Sequence, residues 1–164
     1  MDPRLWTFAK SLQALGYETA AARCSIYPRS GRRRTEFEHE FPKPADYLTQ
    51  SGAFLEKRRD RPFCLYFCPT ASAVSPPRRL PLHAGRGRSL LTPYLRDTPQ
   101  VREHYARYLS ETSKMDQEIG RLLAALERSG EIDRTVIAYM TDHGPSMHRA
   151  KFSLYDWGCV RACF

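Results

Sequence analysis

Apolar and polar positions along the chain form successive helix-then-strand patterns separated by stretches without periodicity. Leu5, Phe8, Ala9, Leu12 and Leu15 recur at the spacing that aligns side chains on one face of an α-helix. Pro3 suits the first turn of that helix and Gly16 its C-terminal stop. Tyr17 to Ala22 reads as a short strand. Tyr47, Leu48, Ser51, Phe54 and Leu55 predict a second helix within Ala45 to Arg58, ended by Arg61-Pro62. The unbroken apolar run from Phe63 to Cys68 predicts a continuous buried strand. Thr98 and Pro99 then open the longest helix as N-cap and first helical residue. Along it, Val101, Tyr105, Tyr108, Thr112, Met115, Ile119, Leu122 and Leu126 define one seam, and Gly130 closes the helix. Asp133 and Arg134 connect it to Thr135–Met140, a run of β-branched and aromatic side chains that predicts a further buried strand. Such alternation defines the α/β class with a largely parallel sheet.

Between Arg23 and Pro44 the periodicity dissolves. The basic block Arg32-Arg33-Arg34 stands beside Glu36, Glu38, His39 and Glu40, a mixture expected of a solvated loop. Pro69 to Pro99 is proline-rich, includes Pro76-Pro77, and carries Arg78, Arg79, Arg86 and Arg88. A connection of that length inside a compact domain is characteristically functional or without fixed structure. This one leaves the C-terminal end of a strand, where ligands of open α/β sheets bind.

Composition narrows the function classes. The 164 residues suffice for one domain with a core, and 26 basic against 18 acidic residues give a formal charge of +8. That excess suits a polyanionic partner. The arginines are not interleaved with aromatics as a nucleic-acid stacking surface requires, so nucleic acid is not the expected partner. The five cysteines include Cys64/Cys68 and Cys159/Cys163 at C-x3-C spacing. No neighbouring Cys or His completes a compact zinc set around them, and small apolar roles are expected. Met1 leads into no sustained apolar core, so no signal peptide is read here, and no run reaches the roughly 18 apolar residues that span a bilayer. Localisation is not readable.

Asp142-His143-Gly144 closes the predicted Thr135–Met140 strand. An oxygen and a nitrogen ligand side by side on a tight turn can serve a divalent metal, and Lys151 adds a positive charge nearby. By spacing alone, the same residues also read as a capping carboxylate, a half-exposed imidazole and a surface lysine.

Several stretches together resemble the later part of a sulfatase catalytic domain. They are Arg61 to Phe67, Met115-Asp116 with Ile119-Gly120, Leu122-Leu123 and Gly130, Asp133 with Thr135 and Thr141 to Gly144, and Lys151 with Leu154-Tyr155-Asp156 and Gly158. Thr92 to Arg102 is similar to the sulfamidase-like and arylsulfatase-like branch, and Gly16-Tyr17 with Thr19 matches the approach to a family site element. The resemblance implies an alkaline-phosphatase-like α/β fold, a three-layer sandwich, and hydrolysis of sulfate esters or sulfamates. It implies a formylglycine hydrate attacking sulfur and a calcium ion (Ca2+) clamping the sulfate. Asp142 and His143 take the metal-ligating positions and Lys151 the sulfate-contacting one. Nitrogen donation by His143 would suit zinc or manganese as well, as in phosphodiesterases of the same superfamily that carry Asp-His-Gly. The implied partner is a sulfated glycan or aryl sulfate, and relatives are often exported or lysosomal.

The departures are local and severe. No C-x-P-S-R or C-x-A-S-R element occurs, and Cys24 in Cys24-Ser25-Ile26-Tyr27-Pro28-Arg29 has the wrong spacing and position for the nucleophile. No catalytic nucleophile is assigned. The paired N-terminal aspartates of the metal site are absent, Arg23-Cys24-Ser25-Ile26 stands where Gly-Lys-x-His is expected, and Pro69-Thr70-Ala71 replaces a Pro-His pair that His83 lies too far along to restore. At the end, Gly158-Cys159-Val160-Arg161-Ala162 stands where Gly-x-Arg-Val-Pro is expected. Residues 1–164 are therefore expected to form part of a sulfatase catalytic domain, a fragment without the nucleophile-bearing N-terminal portion. Such a chain is expected to be inactive alone, with a metal-dependent phosphodiesterase or phosphohydrolase of the same superfamily, or a non-catalytic polyanion-binding fragment, as the alternatives.

Overall fold

A computed structural model describes residues 7–22, 36–41, 46–57, 60–69, 91–93, 95–141, 143–145, 147–151 and 153–159. The chain forms two compact units, Met1–Thr70 with Gln117–Arg134, and Ala71–Asp116 with Thr135–Phe164. Pro3, Cys24, the arginine block, the arginines from Arg78 to Arg88, His83 and Asp142 all lie outside the described residues.

The first unit begins with α1 (Phe8–Ala14), whose Thr7 N-cap hydroxyl accepts from the Lys10 amide at 3.4 Å. The helix ends where the sequence predicts. Gly16, at φ +86°, donates to the Gln13 carbonyl at 2.9 Å, and Tyr17 donates to Leu12 at 3.0 Å. This paired closure uses the left-handed conformation that glycine adopts without a Cβ penalty. The chain turns directly into β1 (Glu18–Ala22), the centre of a three-stranded parallel sheet. Its neighbours are β2 (His39–Phe41) and β3 (Phe63–Phe67), giving the order β2-β1-β3. Ala20 sits opposite His39 on one side and Leu65 on the other.

β1 is buried throughout because it is covered on both faces. On one face, Gln13 of α1 donates to the Thr19 hydroxyl at 2.8 Å. On the other, Ala20 joins Phe54 and Leu55 of α2 (Tyr47–Glu56) and Leu122, Ala125 and Leu126 of α3 (Pro99–Ser129) in a single core. Helices on both faces of a parallel sheet are the α/β layering expected from the chain's alternation. Phe41, Phe63 and Phe67 pack at the edge of this core.

The Glu36–Phe41 stretch corrects the expected solvated loop. His39–Phe41 is a strand, and the acidic block is engaged in specific contacts. Glu36 accepts from the Thr7 hydroxyl and pairs with Lys10 at 2.9 Å, and Glu38 meets Arg61 at 2.5 Å. His39 donates from Nε2 to buried Glu18 at 2.9 Å, and Lys57 reaches the same oxygen at 3.1 Å. A buried carboxylate is tolerable only with such donors. Alternating acidic residues thus fix a short edge strand that carries too few apolar positions to show a period.

The hydrogen bond from Thr7, and then that from Lys10, hold the Glu36 carboxyl below its ordinary range. A lowered folded-state pKa contributes stability above the unfolded pKa, and that contribution is lost as pH falls through the folded value. Thr7→Val is therefore expected to move the Glu36 titration upward, read from its side-chain carboxyl carbon by NMR. A midpoint unmoved by the substitution would remove the hydroxyl as the main cause.

Two further expectations are corrected. Thr135–Met140 is not a buried strand: Val136 is 94% exposed, Ile137 51% and Met140 67%, with only an isolated bridge at Met140. An apolar run becomes a strand only where another strand offers its N–H and C=O groups, and the described residues of its own unit contain none. In α3, Leu122 and Leu126 are buried as the seam predicts, whereas in the earlier half burial falls on Ala106, Ser110 and Glu111, each one residue or two off that seam. Thr98 caps α3 as expected, accepting from the Val101 amide at 3.3 Å.

Candidate functional site

The second unit carries every described residue of the sequence-predicted site. Because residues 135–140 form no buried strand, His143 does not stand at a sheet's carboxyl edge, and local backbone contacts hold its turn instead. The Gly144 amide donates to the Gly158 carbonyl at 3.4 Å, which brings the turn against α4 (Asp156–Cys159). Pro145 O accepts from both Met147 N at 2.8 Å and Lys151 N at 2.9 Å. Fully buried Ala150 receives the Ser153 amide at 3.1 Å and its hydroxyl at 2.7 Å. Within this knot Arg149 adopts φ 59°, a left-handed conformation unusual for a residue with a Cβ, and its guanidinium lies 5.0 Å from the Tyr155 ring centre.

His143 donates from Nδ1 to the Gly144 carbonyl at 2.8 Å. A carbonyl only accepts, so this contact places the proton on Nδ1 and the acceptor lone pair of the neutral ring on Nε2. That tautomer suits a metal-ligating imidazole. Among the described residues, however, no group of three or more His, Cys, Asp or Glu is arranged to hold a metal ion. The described donor set therefore does not by itself fit a calcium or zinc centre.

Lys151 is placed in a cavity of about 530 Å³ lined by Leu95, Gln100, Val101, His104, Met147, His148 and itself. Leu95, Val101 and Met147 provide an apolar wall, while Lys151, Gln100 and the two histidines provide donors. Asp97 and Arg102, just before and on the first turn of α3, form a bidentate pair at 2.6 and 2.7 Å. Hydrogen bonding to Arg102 holds the Asp97 carboxyl below its ordinary range. Sequence reading singled out Lys151 and His143 and did not single out His104 and His148, which line the same cavity as Lys151. The available signal was the i,i+3 spacing of His148 and Lys151, and the position of His104 one turn after Gln100 on the same helix.

The cysteines form no nucleophilic centre among the described residues. Cys64, Cys68 and Cys159 form no disulfide, and burial pushes the Cys64 thiol up, away from the reactive thiolate.

The sulfatase family model matches residues 6–158, a span that includes β1, β3, the Asp142-His143-Gly144 motif and Lys151. The chain belongs to the sulfatase family. It is 32% identical over 68 residues to an ulvan-active sulfatase of Formosa agariphila, a match covering 42% of this chain and 11% of that protein. The chain thus matches about a tenth of the length of that curated relative. Sulfatases are generally metal-dependent hydrolases of sulfuric esters, and that lineage applies here. No helix among the described residues is long and apolar enough to cross a membrane.

Proposed function

We propose that this chain carries the Asp-His-Gly turn and sulfate-binding lysine of a sulfuric ester or sulfamate hydrolase, and that it does not turn substrate over alone. The observation that carries the reading is the cavity location of Lys151, within a family match that extends over nearly the whole chain. The Lys151 ammonium supplies a point charge and three donors to sulfate oxygens. The Lys151 backbone amide donates to Pro145 O, one residue after Gly144. The Gly144 carbonyl orients the His143 ring and fixes its tautomer. Asp142 and His143 are the residues this reading assigns to a metal, calcium by family and zinc or manganese by the nitrogen donor. The described residues do not complete that site, and no step is routed through it.

With neither C-x-P-S-R nor C-x-A-S-R present, the chain has no residue to mature into the formylglycine nucleophile. Purified chain supplied with calcium is therefore expected to release no sulfate from 4-nitrophenyl sulfate. It is nonetheless expected to bind the non-hydrolysable mimic benzenesulfonate. Lys151→Ala is expected to weaken that binding about tenfold or more, the usual worth of a charge-assisted contact. Robust calcium-dependent sulfate release by the chain, or unchanged benzenesulfonate affinity in Lys151→Ala by calorimetry, would refute the assignment.

A further inference from the structure

We infer that the cavity holding Lys151 contains a second oxyanion subsite, formed by His104 and His148, which selects cyclic substrates bearing another anionic group beside the sulfate. This rests on the reading of Lys151 as the sulfate contact, and it assigns a role to two residues outside the sulfatase-like motifs. His104 comes from the second turn of α3 and His148 from the 147–151 bend, yet both line the same space. Neither imidazole makes a hydrogen bond or ion pair among the described residues. Each offers a ring N–H in either charge state, and Gln100 adds an amide donor.

Three further observations define the ligand. None of the described lining residues is a carboxylate. Two acidic residues near the histidine of α3 are engaged elsewhere: Asp97 by Arg102, and Glu103 by Arg107. Leu95, Val101 and Met147 supply apolar surface on which a ring can lie. A volume of about 530 Å³ falls in the range of small-molecule sites, large enough for a ring with two charged substituents. A simple alkyl sulfate would use Lys151 and leave both imidazoles unpaired.

The test compares benzenesulfonate with 4-sulfobenzoate, which adds a carboxylate across the same ring, by calorimetric titration of the full chain at constant ionic strength. The wild-type chain is expected to bind 4-sulfobenzoate about tenfold more tightly. The His104→Ala/His148→Ala variant, which removes both ring donors, is expected to lose that preference while keeping its benzenesulfonate affinity, and Lys151→Ala to weaken both ligands. Equal affinity of the two ligands for the wild-type chain would overturn the subsite, as would a preference that survives the double substitution. Failure of both ligands to bind a folded chain would overturn it together with the sulfate reading. Unchanged benzenesulfonate binding in Lys151→Ala would instead refute only the sulfate assignment.

Discussion

Gly144→Ala is expected to open the bend that carries His143 and Lys151, and to abolish measurable benzenesulfonate binding. A Cβ built at Gly144 would lie 1.8 Å from the Trp157 carbonyl oxygen and 2.9 Å from the carbonyl carbon. Both are backbone atoms, so no rotamer change relieves the clash and one arm of the bend must move. Movement also breaks the hydrogen bond from Gly144 N to Gly158 O. Gly158 cannot yield freely, because the chain there is itself closely packed: a Cβ at that position would meet Ala150 O at 2.3 Å. The local cost should be on the order of 3 kcal/mol or more, as for other forced backbone shifts in packed structure. Hydrogen exchange separates this from global unfolding. Amides of 147–159 should lose protection while those of β1, in the other unit, keep theirs. Protected amides in the bend, with ligand binding intact, would show that Gly144 is not its closure.

How far the sequence revealed this molecule depends on whether each feature is local or made by distant segments. The helices were legible because their signals are local: Thr98 before Pro99, Gly16 after Leu15, and apolar spacing between. β3 was legible from a continuous apolar run, although its side chains are half-buried and Tyr66 is 41% exposed, not buried as expected. β1 was legible as the short segment that follows the helix-ending Gly16. β2 was not, because His39–Phe41 has two inward side chains and one exposed one, too few to establish alternation. Its identity comes from contacts made elsewhere, through Glu18 and Phe54, which no window of sequence displays. Thr135–Met140 fails in the opposite sense. Its composition favours a strand, but a strand also needs a ladder partner, which composition cannot supply. Asp142, His143 and Lys151 were singled out through contiguous motif text, and the proposal for the site rests on them. His104 and His148 were not, since each alone is an ordinary exposed histidine. Only the fold brings the second turn of α3 and the 147–151 bend to one cavity.

The substitution with the largest expected effect on stability is Phe54→Ala. Phe54 is 6% exposed and its ring faces three others, His39 at 5.6 Å, Phe41 at 6.2 Å and Phe63 at 6.0 Å. It therefore joins α2 to both edge strands of the sheet, and with Leu55, Leu122, Ala125 and Leu126 it closes the core over Ala20. Truncation removes the buried ring and leaves a cavity bounded by side chains from β2, β3 and α3, for a cost of about 3–5 kcal/mol. Phe54→Leu keeps most of the volume and should cost less than half as much. The loss should be greatest at β2, whose three residues are held by backbone pairing, by the contacts of His39 and Phe41 with this ring, and by the Glu18–His39 pair. In denaturant the unfolding midpoint of the first unit should fall without a change in slope, and by hydrogen exchange β2 should open before β1 and β3. A loss below about 1 kcal/mol, or β2 protection equal to that of β1, would mean that the sheet edge is secured by the ion pairs around Glu18 and not by the aromatic cluster.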